Sequence, residues 1–154
     1  MQEAAMSQGS VALPVRGAFA PAKGAAAVRI WLLVVAALVY GMILVGGATR
    51  LTDSGLSITE WRPLLGAIPP MNDADWQIAF DKYRTMTAQY HQMNAGMDMA
   101  GFQTIYWWEW WHRQLGRIIG VVFALPLLFF WATGRMTPRL LPHLLILFAL
   151  GGLQ

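Results

Sequence analysis

Cysteine is absent from the 154 residues, and charged residues make up only 12% of them. The absence of cysteine excludes disulfides, thiolate metal sites and cysteine nucleophiles. Soluble domains carry about 25% charged residues, so the low charge argues against a soluble globular protein and against a disordered chain. The net charge of +3 comes from scattered basic residues rather than from a basic stripe, which argues against a nucleic-acid partner. Hydrophobic residues make up 56% of the chain, so the composition predicts a membrane protein.

Three apolar runs predict an all-α fold, a polytopic transmembrane helical bundle. Residues 30–48 are uncharged, and about 20 apolar residues cross a bilayer. We predict the first transmembrane helix there, after a disordered tail at 1–29; a cleaved signal peptide is the alternative. The second helix is predicted at 104–134, a turn at 135–139, and a third helix at 140–154. The third run covers about 22 Å, short of a crossing, so we expect the front piece of a larger protein.

The distribution of charge predicts the orientation. The tail carries three basic residues against one acid, and the turn carries Arg135 and Arg139 with no acid. Residues 49–112 carry four basic residues against seven acids. Because Lys and Arg near helix ends favour the cytoplasmic side, we predict a cytoplasmic tail and turn.

The predicted outer loop, residues 49–103, contains an amphipathic helix near 73–90. Asn72 or Asp73 is suited to cap its first free amides. Aromatic and small residues follow at helical spacing on one face, namely Trp76, Phe80, Tyr83, Thr87 and Tyr90. We expect this helix to lie on the membrane surface or on the outer rim of the protein itself.

The candidate chemistry is concentrated after residue 108. Glu109 and His112 share a helix face, and Gly116 and Gly120 lie one and two turns beyond the histidine. This pattern leaves a flat slot that suits a planar macrocycle, with the imidazole directed to its iron. Three arginines at about the same level are suited to bind anionic propionates by charge-assisted hydrogen bonds, namely Arg50, Arg113 and Arg117.

Each of these residues also has a structural interpretation. Gly116 and Gly120 fit a small-residue helix contact. The neighbouring tryptophans fit an interfacial belt, and the arginines fit headgroup anchors. Glu109 is then solvated or paired with Arg113.

The other two histidines are poor partners for His112. His143 is predicted to lie roughly 25 Å from it in depth, at a helix contact. His91 is expected to be solvated in the outer loop. A metal site at His112 therefore needs ligands from outside this chain.

Three stretches resemble the haem A synthase family, in order and in spacing. They are GGATRLTDSGLSITEW (residues 46–61), GAIPP (66–70) and IYWWEWWHRQLGR (105–117), and the trailing GGLQ (151–154) is similar to the start of a further family motif. The cysteine-free outer loop is similar to the proteobacterial and mitochondrial branch, and the resemblance implies a protein of the bacterial inner membrane.

The resemblance implies an eight-helix protein of two four-helix halves, each holding a haem between histidines. The family oxidises a methyl group of haem O to the formyl group of haem A. His112 matches an axial ligand of the haem iron, and Glu109 matches a glutamate that the family needs for activity. Haem b is expected in a C-terminal half outside this chain, so the 154 residues alone are expected to be inactive. Haem O synthase, oxidase assembly proteins and membrane lipid are the expected partners, together with that C-terminal half.

Two other functions remain open from the residues. A membrane electron carrier of the cytochrome b kind also uses helix histidines above glycine, but does not need Glu109. A non-catalytic membrane assembly factor needs neither Glu109 nor His112.

Overall fold

The computed structural model describes residues 24–60 and 65–153, and within these ranges it contains helices and no strand. The α-helices are α1 (Ala25–Leu51), α2 (Asp73–Met86), α3 (Ala88–Gln92), α4 (Met99–Ala132) and α5 (Leu140–Leu153), with a 3₁₀ turn at Leu65–Ala67. The all-α prediction is confirmed. Most of the predicted tail, residues 1–23, lies outside the described ranges, as do residues 61–64, of which Trp61 ends the first motif, and Gln154 at the end of the trailing one.

Helices α1 and α4 are long and apolar enough to cross a membrane. Their 27 and 34 residues correspond to about 40 and 51 Å, against a hydrocarbon core of about 30 Å. Helix α4 begins at Met99, before the predicted residue 104, because the Asp98 side chain caps it by accepting from the Gly101 amide at 2.8 Å. Helix α4 is therefore long enough to project beyond the bilayer core.

Helices α1 and α4 run antiparallel. We call the end of this pair near Gly24 and residues 133–139 the turn end, and the end that carries α2 and α3 the loop end. At the turn end, Val28 and Trp31 of α1 pack with Leu127 and Phe130 of α4 and with Leu144 of α5. These five buried residues form the turn-end cluster.

Pro126 leaves one backbone carbonyl of α4 without its helical hydrogen bond, and the side chain of Trp31 supplies the missing donor. Proline has no backbone N–H, so the carbonyl four residues earlier, that of Val122, lacks its helical partner. The indole Nε1 of Trp31 donates to that oxygen at 2.7 Å. Because a buried backbone oxygen without a donor is costly, this bond stabilises the α1–α4 pair.

At the loop end, α2 and α3 pack against the first turns of α4. Five buried side chains form the loop-end cluster: Phe80, Tyr83, Phe102, Ile105 and Tyr106. The predicted face of α2 therefore packs on the protein's own outer rim rather than being left free on a membrane surface.

The predicted single helix at 73–90 is wrong in one respect, because it is broken at Thr87. This residue is extended, and its hydroxyl donates to the Tyr83 carbonyl at 2.6 Å and accepts from the Tyr90 amide at 3.3 Å. Thr87 thereby ends α2 and caps α3. At the start of α2, Asn72 accepts from the Asp75 amide, in agreement with the predicted cap.

Candidate functional site

A cavity of about 270 Å³ lies between the end of α1 and α4, just below the loop-end cluster. It is lined by Gly46, Thr49, Arg50, Gly55, Glu109, His112 and Arg113. Four of the seven predicted site residues are thus brought together here, and Gly116, Gly120 and Arg117 are not among the lining residues. The cavity is open on one side, so its wall is partial.

His112 faces Gly46 across the α1–α4 contact. A Cβ atom built on Gly46 would lie only 3.0 Å from His112 Nε2, closer than side-chain carbons normally approach. Any residue larger than glycine at position 46 would require the imidazole to shift from its present position. Neither ring nitrogen of His112 has a hydrogen-bond partner within the described ranges. The imidazole is half-buried and available to a ligand.

Gly116 and Gly120 have different surroundings. A Cβ on Gly116 would meet the Met42 methyl group at 3.4 Å, so this glycine lies at the contact between α1 and α4. A Cβ on Gly120 would have no neighbour within 4 Å. The geometry at Gly116 agrees with the helix-contact interpretation, and the glycine that admits the histidine ring is Gly46.

The Glu109 carboxylate is 4% exposed and is held by donors from two parts of the chain. Its Oε2 accepts from Ser57 Oγ at 2.7 Å and from the Ile58 amide at 2.8 Å. Its Oε1 accepts from Arg113 Nε at 3.0 Å and Nη2 at 2.6 Å. Of the two structural interpretations of Glu109, pairing with Arg113 is therefore the one that the geometry shows.

The three predicted arginines differ in how their donors are used. Arg113 also donates to the carbonyls of Ile58 at 2.8 Å and Glu60 at 3.0 Å, so most of its N–H groups are occupied. Arg117 donates to Gln114 Oε1 at 2.6 Å. The Arg50 guanidinium is exposed at the cavity rim and has no partner within the described part of the chain. Arg50 is thus the arginine best placed to meet an anion.

The remaining histidines lie apart from the cavity. His91 is exposed and contacts the Tyr90 ring edge, with the ring centroids 5.5 Å apart. His143 is also exposed, and its Nδ1 lies 2.8 Å from the carbonyl of Arg139, the residue before α5, so it is not at the helix contact expected for it. Among the residues described, no group of three or more His, Cys, Asp or Glu could hold a metal ion.

Four residues of this site were not predicted from the sequence: the lining residues Gly46, Thr49 and Gly55, and the Glu109 partner Ser57. All four lie within the stretch GGATRLTDSGLSITEW, which carries part of the family resemblance. That stretch is the one signal that could have drawn attention to them.

Comparison with known proteins gives a consistent result. The family model described as cytochrome oxidase assembly protein matches residues 29–154. A protein of Azorhizobium caulinodans named haem A synthase is 54% identical over 92% of this chain and 40% of its own length. A protein of the same name from Methylorubrum extorquens is 60% identical over 85% of this chain and 34% of its own length. Another from Cereibacter sphaeroides is 61% identical over 82% of this chain and 32% of its own length. The chain thus spans well under half the length of these relatives, and no solved structure matches it.

Proposed function

Since the chain belongs to the cytochrome oxidase assembly protein family, we propose that it supplies one haem-binding wall of an integral membrane oxidoreductase. The proposed reaction of the whole protein is that of a haem A synthase, the oxidation of a haem O methyl group to the formyl group of haem A. The relatives that carry this name support the proposal.

The observation that carries the proposal is the placement of His112. Its ring nitrogens are free of hydrogen bonds within the described ranges, and Gly46 clears the space beside Nε2. Neutral imidazole is a common axial ligand of haem iron. The residues present therefore fit the group: His112 would hold the iron, and Arg50 would meet a propionate.

Haem iron supplies the redox chemistry that no side chain performs, and the protein binds and orients the ring. The cavity of about 270 Å³ is small beside ligand pockets of about 300–1,000 Å³. We therefore propose that other segments of the whole protein would provide the opposite wall and any further ligand of the haem iron. A second haem, of the b type, is proposed to bind within those segments as well.

The proposed orientation has the α1 N-terminus and the turn with Arg135 and Arg139 in the bacterial cytoplasm, and the loop end in the periplasm. A reporter that is active only in the periplasm should be active when fused within residues 93–101 and silent at Thr137. The opposite pattern would reverse the orientation. Haem O synthase and oxidase assembly proteins are the proposed partners.

The test of function is His112→Ala in the whole protein, in membranes supplied with haem O. We expect haem A, measured by chromatography of the extracted haem, to disappear. His143→Ala is the matched control, because that imidazole is exposed and lies near only the carbonyl of Arg139, four residues earlier in the chain. An unchanged haem A yield in His112→Ala would exclude this histidine as the ligand.

A further inference from the structure

All the acceptor positions of Glu109 are in use. An ionised carboxylate offers about four lone-pair sites, and Ser57, Ile58 and the two nitrogens of Arg113 occupy four. To accept a proton from a substrate, the carboxylate would have to give up at least one of these four hydrogen bonds. The geometry therefore favours a role in which these bonds stay intact.

The same bonds hold the segment that follows α1. Arg113 donates to the carbonyls of Ile58 and Glu60, while Glu109 accepts from Ser57 and the Ile58 amide. Two side chains on successive turns of α4 thus fix residues 57–60. We call Ser57, Glu109 and Arg113 the clamp.

The clamp lies beside the His112 cavity. Glu109 and Arg113 line that cavity, and so does Gly55, two residues before Ser57. Ser57 is 2% exposed, and its hydroxyl also lies 3.3 Å from the Ile105 carbonyl, so it is buried against α4. Loss of the Ser57 hydroxyl would loosen both the carboxylate and this part of the cavity wall.

We propose that Ser57 is a positioning residue, which together with Arg113 fixes Glu109 so that its carboxylate holds residues 55–60 as a wall of the His112 cavity. This inference rests on the haem-oxidising function proposed above. Glu109 then supports the reaction by keeping the wall in place, without exchanging a proton with the substrate.

A conformational test uses the absence of cysteine in the chain. A spin label on Leu56→Cys, an exposed position in this segment, reports the mobility of the wall. We expect Ser57→Ala and Glu109→Gln each to increase the mobility of the label. Ser54→Ala is the matched control, since Ser54 is an equally buried hydroxyl in the same segment that does not contact Glu109.

The activity test applies the same variants to the whole protein in membranes supplied with haem O. Because a hydrogen bond to a charged group is lost, we expect haem A formation to fall about tenfold in Ser57→Ala. The double variant Ser57→Ala/Glu109→Gln should form no less haem A than Glu109→Gln alone. The pH profile of haem A formation by Glu109→Gln should keep the shape of the wild-type profile. Ser54→Ala should retain wild-type activity.

The proposal would be overturned if Ser57→Ala left mobility and activity unchanged while Glu109→Gln abolished activity or removed an ionisation from the pH profile. Glu109 would then act on the substrate directly, and the proposed function would stand. If the wild-type protein formed no haem A but the label responded as expected, the clamp would stand and the proposed function would fail.

Discussion

The two ends of the α1–α4 pair are held together by different chemistry. The turn-end cluster is apolar, with Trp31 packed between Phe123 and Phe130 at centroid distances of 5.6 and 5.5 Å. The loop end places a buried ion pair, Glu109–Arg113, beneath an aromatic cluster. Hydrocarbon favours the first arrangement, because ionised groups are costly there. The Glu109–Arg113 ion pair thus lies at the end that holds the cavity, whereas the five buried residues of the turn-end cluster are all apolar.

We expect the largest effect on stability when the cation of the loop-end ion pair, Arg113, is removed. Arg113→Ala leaves the Glu109 carboxylate buried and the Ile58 and Glu60 carbonyls without their donor. We expect the free energy of unfolding to fall by about 3 kcal/mol, the lower part of the range for broken buried pairs, because Arg113 is partly exposed. Thermal unfolding in detergent measures the loss. Arg139→Ala, an exposed arginine of the turn end, should have little effect, and equal losses in the two variants would refute the contrast.

Two adjacent glycines near the loop end of α1 sharpen the comparison further. In Gly46→Ala the new methyl group would lie 3.0 Å from His112 Nε2, and such overpacking costs about 1–3 kcal/mol. In Gly47→Ala the methyl group has no neighbour within 4 Å, so helix propensity should stabilise the chain by up to about 1 kcal/mol. The two variants should therefore shift the unfolding temperature in opposite directions. A rise in both would mean that the imidazole is not confined by α1.

At the turn end, the one polar contribution to test is the Trp31 indole. Trp31→Phe keeps an aromatic ring but removes the donor to the Val122 carbonyl, so we expect a loss of about 1 kcal/mol. Trp131→Phe is the control, because that ring is exposed. If thermal unfolding does not distinguish the two variants, the carbonyl finds another donor.

The smallest expected effect is a response to alkaline pH at the loop end. Burial raises the pKa of the Tyr83 phenol, although the hydrogen bond from Asn94 acts in the opposite direction. Because the folded state favours the neutral phenol, its contribution to stability is complete below the ordinary pKa of about 10 and is lost as the pH rises through the raised pKa. The unfolding temperature should therefore decrease above about pH 10, and the decrease should be smaller in Tyr83→Phe. If the unfolding temperatures of the wild type and of Tyr83→Phe depended on pH in the same way, Tyr83 would not be the source of the decrease.

The elements that the sequence predicts well are those with a repeating pattern. The apolar length of α1 and α4 and the spacing of Trp76, Phe80 and Tyr83 identify helices and a buried face. The break at Thr87 is not predicted, because a single hydroxyl that both ends one helix and caps the next leaves the hydrophobic periodicity unchanged.

The residues of the site also differ in how well the sequence predicts them. His112 and Glu109 are conspicuous as ionisable residues near a long apolar run, so the sequence alone singles them out. Their partners Gly46 and Ser57 are not conspicuous, since no local pattern links residues that meet only through the tertiary fold. Ser57 and Glu109, for example, are 52 positions apart.

Pro126 has a consequence for the alignment of α1 along α4. Met42 of α1 lies beside Gly116 of α4, and Gly46 of α1 lies beside His112 of α4. Four residues along α1 therefore correspond to four residues along α4 in the opposite direction. A slip of α1 by one turn, about 5.4 Å, would bring either Met42 or Arg50 opposite the imidazole and would close the space that Gly46 leaves. Such a slip would also take the Trp31 indole away from the single carbonyl in α4 that Pro126 leaves open. A proline at the turn end thus sets the axial register on which the fit of a glycine to a histidine at the loop end depends.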